Sequence, residues 1–453
     1  MKIKLTPKEH QREAIKLCLN SRKFLVCHDT GSGKTVTMLC IAYLQMEHYD
    51  IDNTIIVATN SAIRSITNEM KKTFDTEPIT LEDLQEGKKG VLLIAYQNVN
   101  KKFIDSIPQG RYTLIFDEYH KLKSPKTQTT KLCTLLKRRC VNCYGFTATP
   151  ISKDFRDLYE LIRFLNPLIF TNWETFCKDY TLFYKMNLPN RNFPVIKPYK
   201  YRNLEKLKRT LKPIMHTYFP EANLKWLEIM IPLEDVEGYR RTREEALTPT
   251  GDEQKDKALP MHAVKKCKRF VALSKGKLKA LYKVVKEHID RGVIVYCDEY
   301  ATLNPVYKFL KDICKFDVLK YTGVSSQKEK DKSFNEFTSN ASGKVLLLSR
   351  VGGASLNLQA TNHLVTFDLP SSLLSVQQLV GRVKRMDSAF IDEGFYIHML
   401  ITETSVEHYW LEFIKTYEQP LKQLLNSNGL PKGMPPYNEY LKKKLINDKV
   451  WNR

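Results

Sequence analysis

The chain is predicted to be an α/β protein with two tandem lobes, each a parallel sheet with helices on both faces, and an aromatic and basic insert between them. Three observations predict this. Two series of short β-rich apolar runs alternate with helical patterns, a glycine-rich loop sits between the first run and the first long helix, and 453 residues are too many for one ordinary core. Parallel strands joined by crossovers place ligands at the carboxyl ends of the strands.

The first series is "FLVCH" (Phe24 to His28), "TIIVAT" (Thr54 to Thr59), "VLLIAY" (Val91 to Tyr96), "TLIFDE" (Thr113 to Glu118) and "CYGFTAT" (Cys143 to Thr149). It defines a first lobe over residues 1–168. An intervening insert and linker follow over 169–272. Its first part is aromatic and basic, including "KMNLPNRNFPVIKPYKY" (Lys185 to Tyr201); its later part is acidic and turn-rich. The second series is "GVIVYCD" (Gly292 to Asp298), "DVLKYTG" (Asp317 to Gly323), "KVLLLSR" (Lys344 to Arg350), "HLVTFDLP" (His363 to Pro370) and "FYIHMLIT" (Phe395 to Thr402). It defines a second lobe over 273–418, followed by a polar tail over 419–453.

With 42% hydrophobic and 27% charged residues, the chain is of the globular class and can bury sizeable cores. No apolar run reaches the roughly 20 residues that span a bilayer, and the basic start lacks a secretory apolar stretch, so a cytoplasmic protein is expected. Of the ten cysteines only Cys140 and Cys143, in "CVNC", have metal-like spacing, and no second ligand pair lies nearby, so a strand start is the expected reading. The 72 basic against 50 acidic residues leave a net charge of +22, which favours a polyanionic partner.

The loop "HDTGSGKT" follows a strand and opens a helix, as a phosphate-binding loop requires, although His28 stands where the usual pattern has its first glycine. Thr30, Gly31, Ser32 and Gly33 offer backbone N–H groups at a helix N-terminus. Lys34 reaches the β and γ phosphates, and the Thr35 hydroxyl meets Mg²⁺. At the end of "TLIFDE", Asp117 is placed to hold Mg²⁺ and Glu118 to orient and deprotonate an attacking water. In "QQLVGRVKR", Gln378, Arg382 and Arg385 share one helical face that can project two guanidinium groups at a γ-phosphate. The expected ligands are therefore ATP and Mg²⁺.

With these motifs the chain resembles the superfamily 2 helicases and translocases, and among them the Swi/Snf-like branch, whose two lobes are RecA-like and flank an ATP cleft. "LTPKEHQREAI" looks like the adenine-reading glutamine motif, with Gln11 as reader. "DEYHKLKSPKTQTTKL" (Asp117 to Leu132) resembles the extended acidic motif and "GFTATPISKDFRDLYELIRFLNP" (Gly145 to Pro167) the coupling motif. "NLEKLKRTLKPIM" and "SKGKLKALYKVV" resemble the linking segments, and "LLLSRVGGASLNLQATNHLVTFDLP" (Leu346 to Pro370) the fifth motif. The likeness runs in collinear order from Leu5 to about Tyr409. In this family the first loop glycine is not required.

There are departures. Thr147-Ala148-Thr149 is closer to true helicases than to remodellers, Lys384 stands where the branch often has histidine, and the long remodeller insertions are largely missing. Nucleosome sliding is not expected. The compact chain, rich in lysine and asparagine, resembles the helicases of large T-odd DNA bacteriophages, which would put it in the host cytosol.

The resemblance implies an ATP-driven motor acting on duplex, forked or branched DNA without sequence preference. Backbone contacts are implied near Asn60 and Ser61, Tyr96, Thr322 and Gly323, and Ser349 with Asn357. The insert is a candidate for strand separation, because aromatics can stack on exposed bases, although Phe170, Trp173, Phe176 and Tyr180 also have the spacing of a helix core. Other readings stay open. An RNA helicase is permitted by "DEYH" alone, and a nucleic-acid-binding scaffold with little ATPase activity is opposed by the Lys34, Glu118 and Arg382 set. A restriction-system translocating subunit would share the motor, but no nuclease motif is present.

Overall fold

The computed structural model describes residues 4–151, 155–186, 195–219, 223–249, 251–252, 259–349, 358–369, 379–384 and 388–411. Gln378, Arg385, Asn357 and the tail from 419 onward lie outside them. The chain divides into two compact units, the first running to Pro220 and the second from Glu221 to Gln419, with stretches of the tail assigned to each.

The first unit contains β1 (Lys23–His28), β2 (Asn53–Ala58), β3 (Val91–Ala95), β4 (Tyr112–Phe116), β5 (Asn142–Thr147), β6 (Thr181–Met186), β7 (Val195–Tyr201) and β8 (Met215–Tyr218). Six of these form one sheet in the order β3-β2-β4-β5-β1-β8, with every pair parallel. Each strand feeds a helix that must return across a face, which is why the strands are buried on both sides and read as continuous apolar runs. Leu25 and Cys27 of β1 face one core cluster, while Phe24 and Val26 face the other. β6 and β7 pair separately as an antiparallel hairpin with an irregularity at Leu182 and Phe183.

The second unit contains β9 (Leu224–Ile231), β10 (Val293–Cys297), β11 (Asp317–Tyr321), β12 (Lys344–Ser349), β13 (His363–Thr366) and β14 (Phe395–Thr402). They form a second all-parallel sheet, ordered β11-β12-β10-β13-β14-β9. Its core is built on one side from Val293, Val295, Val345, Leu347, Val365 and Leu400, under the helix Lys275–His288. Two parallel sheets with flanking helices are the predicted fold class.

The alternation of apolar runs missed four strands: β6 and β7, which lie in the segment read as an aromatic and basic insert, and β8 and β9. The last two are edge strands. β8 has only four residues, and β9 interleaves Lys225 and Glu228 with its apolar residues, so neither produces an apolar run. Among the described residues no helix is long and apolar enough to cross a membrane.

Candidate active site

The sheet order brings three strand ends together: β1 carries the glycine-rich loop, β4 the acidic pair, and β5 lies between them with the Thr147-Ala148-Thr149 segment at its end. Cys27 pairs with Thr147 and Phe116 with Gly145, so the three ends are level.

The loop from Asp29 to Gly33 is a tight turn closed on itself. The Ser32 hydroxyl donates to Asp29 O at 2.8 Å, and the Thr30 amide donates to Asp29 Oδ1 at 2.8 Å. Gly31 and Gly33 have φ of 75° and 79°, in the left-handed region that favours glycine. At Gly33 an added Cβ would also collide with the Gln11 amide. The helix Lys34–His48 then starts with its first-turn amides directed at the loop, an arrangement suited to phosphate oxygens. Lys34 Nζ donates to His28 O (3.1 Å) and Asp29 O (3.0 Å), and Thr35 is half-buried beside it.

Gln11 packs behind this loop. Its Nε2 donates to Gly33 O at 3.0 Å and its Oε1 accepts from the Lys8 amide at 2.6 Å, so the side chain ties the first helix to the loop backbone. His28 is fully buried and pairs through Nε2 with His216 Nδ1 of β8 at 2.8 Å; His216 Nε2 in turn lies 3.2 Å from Glu13 Oε2. His10 stacks on Tyr218 at 3.7 Å and contacts Ser32 O at 3.0 Å. Burial, helped by His216, His10 and Lys34, pushes the His28 pKa down to about 2, so this imidazole is neutral. In place of a glycine, His28 anchors the loop strand to β8.

Asp117 and Glu118 follow β4. Burial, and then the Glu118 charge, push the Asp117 carboxyl up to about 7, with Lys34 pulling the other way. Burial also acts to raise Glu118, but the hydrogen bond and charge of His120, with Lys34 and Lys121, outweigh it and hold this carboxyl below its ordinary value. Glu118 has φ of 49°, an uncommon conformation for a side-chain-bearing residue and of the kind found at functional sites. His120 Nδ1 stands 3.2 Å from Glu118 Oε2, 3.2 Å from Thr147 Oγ1 and 3.4 Å from Thr149 Oγ1. It therefore joins the acidic segment to the end of β5.

Tyr96, near which a DNA contact is implied, is 8% exposed, and its hydroxyl donates to Asp117 O at 2.7 Å, so its side chain braces the acidic segment from the end of β3. Asn60 and Ser61 are exposed at the start of the helix Asn60–Glu69, just past β2, where Thr59 caps the helix by accepting from the Ala62 amide.

In the second unit, Thr322, Gly323 and Ser349 meet at the ends of β11 and β12. Gly323 N donates to Ser349 Oγ at 3.1 Å and Thr322 Oγ1 lies 3.0 Å from Ser325 Oγ; Gly323 is exposed, while Thr322 and Ser349 are buried. Arg382 is half-buried in the helical segment 379–383, and its carbonyl accepts from Leu358 N at 3.0 Å.

Phe170, Phe176 and Tyr180 are buried and pack with Trp173 against Tyr159, so these four aromatics form core and not a stacking platform. Cys143 lies inside β5 and Cys140 just before it. Burial raises both thiols well out of the reactive range, consistent with a strand start.

Sequence reasoning missed the parts played by His120 and His216. His120 was visible as the fourth letter of "DEYH". His216 gave no local signal, because its partner is 188 positions away.

The SNF2-related domain matches residues 10–225, and the helicase conserved C-terminal domain matches residues 276–387. An uncharacterized ATP-dependent helicase of Bacillus subtilis, YqhH, is 22% identical over 90% of this chain and 78% of its own length. The human DNA repair and recombination protein RAD54B is 22% identical over 84% of this chain but 50% of its own length. Among solved structures, the Hef helicase domain of Pyrococcus furiosus shares the fold, with a TM-score of 0.52 and 14% identity over 90% of this chain and 98% of that one.

Proposed function

The chain belongs to the superfamily 2 helicases and translocases, in their Swi/Snf-like branch, and is an ATP hydrolase; from that premise we propose that it is a motor that moves along DNA. The observation that carries this reading is the alignment of the glycine-rich loop, the Asp117–Glu118 pair and Thr147 on three adjacent strand ends, bridged by His120.

The residues fit ATP and Mg²⁺. Loop amides at the helix start and Lys34 suit the phosphates. Asp117, whose carboxyl burial keeps from ionising readily, is the group a divalent cation would relieve, together with the Thr35 hydroxyl. When bound, Mg²⁺ offsets the charge that builds on the phosphates. Glu118, held ionised by His120, takes the proton of the attacking water. Arg382 and Arg385 supply positive charge to the departing phosphoryl group, a contribution worth roughly 10³ to 10⁵ in rate. Gln378 belongs to the same set, and Gln11 acts on the nucleotide through the loop it braces.

DNA is gripped through its phosphates. Asn60, Ser61 and Gly323 are exposed at strand ends, Thr322 and Ser349 support the Gly323 turn, and Asn357 completes the set. The net charge of +22 favours such a partner and predicts steep salt dependence with little sequence preference. Duplex, forks and junctions are the proposed substrates, in replication, recombination or repair. The compact, lysine-rich chain fits a phage-borne motor working in a host cytosol.

The test is ATP hydrolysis by wild type and Glu118→Gln with no nucleic acid, single-stranded DNA, duplex DNA, a four-way junction and RNA. Stimulation by DNA that vanishes in Glu118→Gln is expected, and the best activator identifies the substrate. No hydrolysis with any of them would overturn the motor and favour a scaffold; stimulation by RNA alone would make it an RNA helicase.

A further inference from the structure

The second unit holds three imidazoles that the motor chemistry does not use. His363 opens β13 and pairs with Tyr396 of β14, while His398 lies two residues further along β14. Side chains alternate along a strand, so Tyr396 and His398 share the face on which His363 stacks against Tyr396 at 4.9 Å. The helix Lys275–His288 covers this side of the sheet through Leu281, Val284 and Val285, and the same stripe reaches His288 at its last turn. One ring nitrogen from each of the three histidines lies within 4.8 Å of the others.

We propose that His288, His363 and His398 form a three-histidine site for a borderline-soft divalent cation, Zn²⁺ foremost, which pins the end of this helix to β13 and β14.

The spacing supports it. His363 Nδ1 and His398 Nε2 stand 3.2 Å apart, and two nitrogens sharing a tetrahedral Zn²⁺ are about 3.3 Å apart, given their usual bond lengths. His288 stacks on His363 at 4.0 Å with the rings 17° from parallel, so it becomes the third ligand by turning its imidazole. Its side chain is 22% exposed at the helix end, which leaves room for that turn and for a water as fourth ligand.

The chemistry agrees. All three donors are nitrogens, which suits zinc and its neighbours and not Mg²⁺ or Ca²⁺. The nearby cations are already engaged, Arg291 with Glu393 and Lys225 with the Tyr396 hydroxyl. Glu287 adds a carboxylate 3.9 Å from His288 Nε2.

The full chain, stripped with a chelator and kept free of nucleotide, is titrated with Zn²⁺ against a chromophoric chelator, with Co²⁺ absorption reporting the geometry. One Zn²⁺ per chain, a tetrahedral Co²⁺ spectrum and a loss of affinity of about 10-fold or more in His288→Ala are expected. His216→Gln, in the other histidine cluster, should keep full affinity. His288 sits at the partly exposed end of its helix, so its variant tests the site with little disturbance of the core, and His363→Gln repeats the test at a buried ligand. No stoichiometric uptake by wild type, equal uptake by His288→Ala, or a loss confined to His216→Gln would overturn the proposal.

Discussion

His120 Nδ1 lies 3.2 Å from Glu118 Oε2 and the same distance from Thr147 Oγ1, so one ring touches both the carboxylate we propose as the base for the attacking water and the end of the neighbouring strand. Phosphate binding does not pass through this ring, whereas the placement of Glu118 does. His120→Ala is therefore expected to lower kcat for ATP by about 10- to 100-fold, within the range of a displaced general base, and to leave KM within about twofold. Steady-state hydrolysis at saturating DNA checks this, and a rise in KM at unchanged kcat would rule it out.

Gly145 lies beneath the Tyr119 ring, where an added Cβ would stand 2.6 Å from Cγ. The ring cannot retreat easily, because it is fully buried and its hydroxyl donates to Leu161 O at 2.9 Å. Gly145→Ala should cost about 1–3 kcal/mol as an overpacking change and shift the adjacent Glu118. Urea denaturation reads the first effect and ATP hydrolysis the second; wild-type behaviour in both would show that the segment yields freely.

The ten strands found by alternation carry runs of apolar residues, continuous where a strand is buried on both faces, as in β2, β4 and β12, and still visible in the edge strands β3 and β11. β8 and β9, edge strands too, escaped because β8 has only four half-buried residues and β9 interleaves charged residues with apolar ones. The same distinction divides the site. The glycine-rich loop and the Asp117–Glu118 pair are local patterns with local reasons and could be read directly. The pairing of His28 with His216, the spending of the Tyr96 hydroxyl on Asp117 O, and the bridging by His120 are tertiary facts. A histidine in place of a loop glycine, read by itself, shows a departure and gives no reason for it.

In the second unit Lys277 and Glu407 form a fully buried ion pair, and Glu407 Oε2 also accepts from the Thr402 amide at 3.0 Å. Removing one partner strands the other charge in the core. Lys277→Met should destabilise by about 3–5 kcal/mol, while Lys277→Met combined with Glu407→Leu should recover a large part of that loss. Equilibrium denaturation of the two variants decides the point; a double variant as unstable as the single one would show that the Thr402 contact, and not the charge pair, carries the energy.

His28 gives the first unit a dependence on acid. Its pKa is near 6.5 when unfolded and about 2 when folded, so above pH 6.5 neither state binds the proton and stability is unaffected. As pH falls below 6.5 the unfolded chain takes up a proton that the buried ring refuses. The native state then loses about 1.4 kcal/mol per pH unit from this group, until the folded value is reached. The loss comes from burial beside His216 and His10, so it should disappear when the imidazole is replaced. His28→Asn, denatured in urea between pH 6.5 and 4.5, is expected to show a pH slope shallower than wild type by about one proton, whatever its stability at pH 7. Equal slopes would mean that the His28 ring takes up its proton without unfolding, and that the anchor between the phosphate loop and β8 survives the added charge.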